Sequence, residues 1–153
     1  MDAASQRVES SVAYVSQAAC PFDEQRIANL ANEAASNNAT LAVTGYLYFA
    51  NGRFVQCLEG DHAVVTRLLA RIEHDTRHDI IATTWQSGET ERRFPSWSMR
   101  WVRSNEMAKI GLEHILADQI LLDARVRGGD LSFQESIWRV VDSVAESIHN
   151  RGE

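Results

Sequence analysis

The chain has 153 residues, 44% of them hydrophobic, and a formal net charge of -6, which suits one globular domain with an extension. The acidic balance argues against a dedicated nucleic-acid binder, which needs a basic face, and no apolar run approaches the roughly 18 residues of a membrane span. Met1 to Glu9 lacks the basic and apolar regions of a signal peptide, and Cys20 and Cys57 make no disulfide framework, so the expectation is a cytoplasmic protein with free thiols that binds neither membrane nor nucleic acid.

Glu9 to Gln17 alternates as a strand, with Val12, Tyr14 and Ser16 on one face. Asp23 is the expected N-cap of a helix to about Ser36, whose Ile27, Leu30, Ala31 and Ala34 fall at helical spacing; Asn37-Asn38 read as its exit. Thr44 to Gly60 reads as a β-hairpin around Asn51-Gly52, a pair that tolerates positive φ. Gly60-Asp61 opens a second helix to about Thr76, with Val65, Leu68, Leu69 and Ile72 on one face. Ile80 to Gln86 reads as a strand, Ser87 to Pro95 as a polar loop, and Ser96 to Val102 as a last strand. The order β-α-β-β-α-β-β predicts an α+β, ferredoxin-like sheet with both helices on one face.

From Ser104 onward the pattern is only helical. Leu112, Ile115, Leu116 and Ile120 suit one helix, and Gly128-Gly129 breaks the chain. Ser132-Phe133-Gln134-Glu135 is a capping box, followed by an apolar stripe of Phe133, Ile137, Val141, Val144 and Ile148. The expected division is an N-terminal extension over 1–9, a domain over 10–103 and a helical extension over 104–153. The stripes of the extension require cover from the free face of the sheet or from another copy, so a homo-oligomer is expected.

Gln56 is the anomaly in this pattern, an amide between Phe54 and Leu58 on one strand face. A buried amide without partners costs stability. Tyr14, Asn37 and Asn38 are further polar groups at inward positions, and Arg71 and Asp75 are one helical turn apart. Each has an ordinary reading: a half-buried aromatic, turn residues, a solvated ion pair. Together they line a cleft between the two helices, with amides at one end and an ion pair at the other. Amides offer both donors and acceptors, which suits a flat heterocycle with carbonyl and ring N–H groups, covered by Leu30 and Ile72. His74 and His78 share a helical spacing beside Asp75, but no further ligands follow at metal spacing.

In order along the chain, Tyr14-x-Ser16, Asn37-Asn38, Thr44-Gly45, Phe54-x-Gln56-x-Leu58-Glu59-Gly60, Asp75-x-Arg77-His78, Arg93-Phe94 and Trp97-Ser98-Met99 resemble the BLUF domain, a blue-light receptor that binds flavin non-covalently. One departure is Ala42-Val43, where the family often has Gly-Ile. The resemblance implies that Tyr14 is the light-driven electron and proton donor. Gln56 would lie between the Tyr14 hydroxyl and flavin N5 and O4. Its amide would end rotated or tautomerised, with a stronger hydrogen bond to O4 and a reversible red shift. The implied cofactor is FAD, with FMN or riboflavin as alternatives. Asn38, assisted by Asn37, would hold the pyrimidine end of the ring; Arg71 and Asp75 would lie near the ribityl or phosphate end; Arg77 and His78 match the family's Arg-His pair. Trp97, Met99 and Ser16 would relay the change, with either Trp97 or Met99 against Gln56. The expected output is a downstream protein effector acting in trans, with no catalytic output domain. Two other readings remain, a ferredoxin-like regulatory module without chromophore and an acylphosphatase-like hydrolase. The second is weakened because Gln17 to Pro21 has neither glycine nor arginine to cradle an anion.

Overall fold

The pairing of Asn51 and Gly52 fixes the centre of the sheet. In the computed structural model, which describes residues 7–112, 115–125 and 131–149, both adopt positive φ, 54° and 75°. This is the turn that matches the twist of a two-residue hairpin. It joins β2 (Thr44–Ala50) to β3 (Arg53–Gly60). β1 (Arg7–Ala18) pairs antiparallel with β3, and β4 (His78–Glu91) lies antiparallel on its other side. The short β5 (Arg100–Trp101) runs parallel to β2, giving the order β4-β1-β3-β2-β5. The helices α1 (Glu24–Thr40) and α2 (His62–Glu73) cross over between strands, and right-handed crossovers put them on one face. This is the ferredoxin-like arrangement expected, with a fifth strand.

The sheet is buried on both faces. On the α1/α2 face, Val12, Tyr14, Leu47, Phe54 and Leu58 pack with Ile27, Ala31, Val65, Leu68 and Leu69. On the other, Ala13, Val15, Tyr46, Val55 and Cys57 pack beneath α4 (Ile115–Arg125) and α5 (Leu131–His149). The extension therefore covers the free face of the sheet. Leu116, Ile120, Ile137, Val141, Val144 and Ile148 are all buried there, and each such side chain contributes roughly 1.5–3 kcal/mol. Burial on both faces explains why β3 is buried from Phe54 to Gly60 without alternation.

Several boundaries differ from the sequence reading. Asn37 and Asn38 are not the exit of α1 but part of its last turn, and the helix runs to Thr40. The Asn38 carbonyl accepts from Leu41 and Val43 N–H, which satisfies the helix end without a glycine. α2 begins after Gly60, at His62, and stops at Glu73 rather than Thr76. The Asp75 carboxylate accepts from Arg77 N–H at 3.0 Å and turns the chain into β4. β4 starts at His78 and continues to Glu91, through most of the expected polar loop, because β1 begins at Arg7 and offers partners as far as Glu91. The last strand shrinks to two residues. Leu112 does not share a helix with Leu116: α3 (Ser104–Ile110) ends at Gly111, φ 71°, before α4 begins. Gly128-Gly129 and the Ser132-Phe133 part of the capping box lie outside the described residues and side chains.

Two positions between α1 and β3 carry tests. A Cβ on Gly45 would sit 1.8 Å from the Cys57 carbonyl oxygen, so only glycine allows β2 to approach β3 there. Ala42 takes φ 54°, a left-handed conformation that costs a non-glycine residue roughly 1–2 kcal/mol. This accounts for the glycine often found here in the family resembled. Ala42→Gly is expected to raise the denaturation midpoint, with a gain of about 0.5–1 kcal/mol after the glycine's extra unfolded-state entropy is subtracted. Gly45→Ala is expected to lower the midpoint sharply. Denaturant titration of both variants checks the pair; a destabilised Ala42→Gly would contradict the backbone assignment.

Candidate functional site

β1 and β3 pair with Tyr14 directly opposite Gln56. Both side chains point to the α1/α2 face, because alternation places Ala13, Val15, Val55 and Cys57 on the other. The Tyr14 hydroxyl donates to Gln56 Oε1. Gln56 Nε2 in turn donates to Met99 Sδ at 3.4 Å. The amide that looked anomalous in the sequence thus has a strong donor on one side and a weak sulfur acceptor on the other.

Tyr14 and Gln56 stand in the wall of a cavity of about 200 Å³ between α1 and α2, with Met99 behind Gln56. Leu30, Asn37, Asn38, Gln56, Arg71, Ile72, Asp75, Arg77 and His78 all line it, so the structure brings together every residue that the resemblance placed against the cofactor. Tyr14 lines it too. Trp97 does not. It is buried in the core beneath the tail helices, stacked on Phe94 at 5.2 Å, while Met99 takes the place beside Gln56. Ser16 is outside the cavity, with its hydroxyl 2.7 Å from His78 Nδ1. His78 Nε2 lies 3.0 Å from the Ile72 carbonyl, which can only accept. Nε2 therefore donates to Ile72, and the Ser16 hydroxyl holds the other side of the ring at Nδ1.

Asn38 Nδ2 donates to the Ser98 carbonyl at 3.0 Å, tying the end of α1 to the segment that carries Met99. The expected Arg71–Asp75 ion pair is replaced by Arg77–Asp75, at 2.6 Å. Asp75 lies beyond the end of α2, so the helical spacing that pairs it with Arg71 does not apply. The Arg77 hydrogen bonds hold the Asp75 carboxyl down at about 2. Burial, with the Asp75 charge adding to it, pushes the Tyr14 phenol well above its ordinary range. Burial likewise raises the Cys57 thiol to about 12 against the opposing Tyr46 hydroxyl and Arg93 charge, and Cys57 faces away from the cavity.

The sequence reading missed Phe22, Glu33, Leu47 and Leu68 as cavity residues. A signal for Glu33 existed: Leu30, Glu33, Ala34, Asn37 and Asn38 form one helical stripe once α1 is allowed to run on. Phe22 belongs to a loop, where periodicity gives no guide. It meets Phe54 edge-on at 5.0 Å.

The donor set fits a flavin ring. The amides of Asn37, Asn38 and Gln56 match carbonyl and ring N–H groups, and Leu30, Leu47, Phe54, Leu58 and Ile72 supply apolar walls. The cavity is smaller than the roughly 300–1,000 Å³ of ordinary ligand pockets, so it suits the flat ring rather than a whole dinucleotide; Glu33, Arg71, Asp75 and Arg77 supply the charged part of its lining.

Comparison with known proteins points the same way. The chain is 35% identical over 91 residues to photoactivated adenylate cyclase subunit beta of Euglena gracilis, a match covering 59% of this chain and 11% of that protein. It thus spans about a tenth of the length of such curated relatives. The structure resembles the dark-state structure of BlrB, a BLUF protein, with TM-score 0.69 and 26% identity over 93% of this chain and 98% of that one. A bacterial light-regulated adenylyl cyclase aligns with TM-score 0.61 and 28% identity over 76% of this chain and 35% of that one. Residues 10–100 match the family described as sensors of blue-light using FAD. With the motifs, the ferredoxin-like sheet and the amide-lined cavity agreeing on one assignment, the chain belongs to the BLUF family of flavin-binding blue-light sensors.

Proposed function

We propose that this chain senses blue light through rearrangement of the Gln56 amide and passes the change to a partner protein in trans. The observation that carries the reading is the hydrogen-bond sequence Tyr14 hydroxyl, Gln56 amide, Met99 sulfur, with Tyr14 and Gln56 lining the cavity. A bound flavin supplies light absorption and electron acceptance. Tyr14 is the electron and proton donor, and its phenol is neutral because burial disfavours the phenolate. Gln56 Oε1 accepts the phenolic proton's hydrogen bond in the dark, which orients the amide. Its Nε2 is held only by a thioether, a weak acceptor, so turning or tautomerising the amide forfeits little. The rearranged Gln56 amide would turn its donor toward a bound flavin, and the stronger hydrogen bond would supply the red shift. Asn38 and Asn37 would hold the pyrimidine edge of the ring, while Leu30 and Ile72 would cover its faces. Arg71, Asp75 and Arg77 lie toward the phosphate end, and His78 is fixed by Ser16 and Ile72.

Cys57 takes no part, since it keeps its proton and faces the other side of the sheet. Met99 relays the change along β5 into Val102 and α3, with Trp97 and Ser16 as secondary elements. An effector in trans would read the helices after β5, which pack on the sheet. The relatives named as cyclases show that BLUF domains occur in proteins with a separate catalytic activity. No helix among the described residues is long and apolar enough to cross a membrane. We also expect self-association; Ile81, Ile115 and Leu122 are large apolar side chains left exposed.

Three outcomes test this reading. Purified with FAD, the protein should show a red shift in blue light that reverses in the dark. Tyr14→Phe and Gln56→Leu should retain flavin and lose the shift, since one removes the hydroxyl and the other the amide. A normal reversible shift in either variant would remove that residue from the mechanism.

Asn38→Ala should lose flavin affinity. It leaves ring groups unpaired in a dry site at roughly 1–3 kcal/mol each, or about five- to a hundred-fold in affinity. Unchanged occupancy after dialysis would mean that Asn38 serves only the end of α1.

The third outcome concerns alkaline pH. The Tyr14 pKa is raised above its ordinary 10.0 on folding. The folded state therefore holds the proton more tightly, and this contribution to stability is intact below pH 10 and lost as pH rises further. Photoconversion should be flat up to about pH 10, and any phenolate absorbance that Tyr14→Phe removes should appear only together with flavin release. A Tyr14 phenolate titrating in folded, flavin-bound protein would contradict the buried donor.

A further inference from the structure

Met99 reaches the tail along the chain, but α5 packs on the opposite face of the sheet from the cavity. A separate set of contacts on that face joins the strand of Gln56 to it. Glu59 lies on the same strand as Gln56 and is 2% exposed. Its carboxylate accepts from the backbone N–H of Arg93 at 2.9 Å and of Phe94 at 2.8 Å, and from the Thr44 hydroxyl at 2.8 Å. The turn carrying Arg93 is thereby fastened to the strand carrying Gln56. The Arg93 side chain then spans three elements. It donates to Ser11 Oγ on β1 at 3.3 Å, to Gln86 Oε1 on β4 at 2.7 Å and to Asp142 Oδ1 on α5 at 2.5 Å. Its guanidinium lies over the Trp138 ring of α5, 5.1 Å from the centroid.

We propose that Arg93 is a latch between the sensory sheet and α5, set by the Glu59-anchored turn and loosened when the Gln56 strand changes state. This rests on the reading of Gln56 as the light-responsive amide. The asymmetry of the ion pair supports it: the Arg93 side chain is 10% exposed and that of Asp142 is 49%. A guanidinium so far out of water depends on its partners, and its planar fork fixes their directions. A small displacement of the turn therefore misaligns the Asp142 and Trp138 contacts. The apolar face of α5 stays buried regardless, so the latch governs local opening of the helix rather than its departure. The two relays are distinct in place: Met99 acts on α3 from the flavin side, and Arg93 acts on α5 from beneath the sheet.

The test is hydrogen exchange of residues 134–148 in the full FAD-bound chain, dark and illuminated, with Asp142→Asn as the principal variant because that side chain is half exposed. Glu135→Gln is the control; it removes an exposed ion pair with Arg139 in the same helix. Asp142→Asn should speed dark exchange in α5 by roughly two- to fivefold, the range of a partly exposed pair. It should also remove most of the light-driven change in α5 while leaving the flavin red shift intact. Wild-type exchange rates in Asp142→Asn, or an undiminished light-driven change, would overturn the latch, as would equal acceleration in Glu135→Gln. Absence of a red shift in wild-type protein would instead contradict the photosensory reading, and the dark comparison would still decide whether Arg93 holds α5.

Discussion

The site depends on one register. Tyr14 on β1 and Gln56 on β3 are direct neighbours in an antiparallel pair, and a slip of one residue would put the two side chains on opposite faces of the sheet. The Asn51-Gly52 turn and the unbroken β2/β3 pairing prevent that slip from one side, and the long β1/β4 ladder prevents it from the other. The hydrogen bond between a phenol and an amide is thus a consequence of strand pairing, made before any cofactor is considered. Everything assigned to the amide rests on its being held in that orientation by Tyr14 and only weakly by Met99.

A sheet buried on both faces gives this bond two audiences. The α1/α2 face carries the cavity, and the other carries the tail helices. Side chains alternate along β3, so Gln56 faces the cavity while Cys57 faces the tail. A change at the amide is one residue away from the core beneath α4 and α5. Close packing makes such a layer poorly able to deform continuously, which favours discrete rearrangement at its few polar contacts. Glu59, which is buried, and Arg93, whose side chain is 10% exposed, are among those contacts. Burial raises the Glu59 carboxyl above its ordinary range, while the Arg93 and Phe94 backbone donors and the Thr44 hydroxyl work against that shift.

Much of this was legible in the sequence, for identifiable reasons. The hairpin was carried by Asn51-Gly52, the helix faces by apolar spacing, and the two-layer order by alternation of elements. Gln56 stood out because an amide on an apolar strand face demands partners. What could not be read was set by contacts distant in the chain. α1 runs past Asn37-Asn38 because the Asn38 side chain bonds to Ser98, sixty residues on. β4 extends through a stretch rich in polar residues because β1 offers it a partner. Asp75 chose Arg77 over Arg71 because the helix ended first. The choice between Trp97 and Met99 beside Gln56 was open in the sequence and is resolved by packing, with Trp97 taken up by Phe94 and the tail core.

The central claim is that illumination changes the hydrogen bonding of the Gln56 amide itself. A light-minus-dark infrared difference spectrum, recorded on FAD-bound protein with heavy carbon in the glutamine side-chain carbonyls, reads this directly. An isotope-sensitive glutamine carbonyl band should shift on illumination, recover in the dark and be absent in Gln56→Leu. A reversible flavin red shift with no isotope-sensitive glutamine band would contradict the claim.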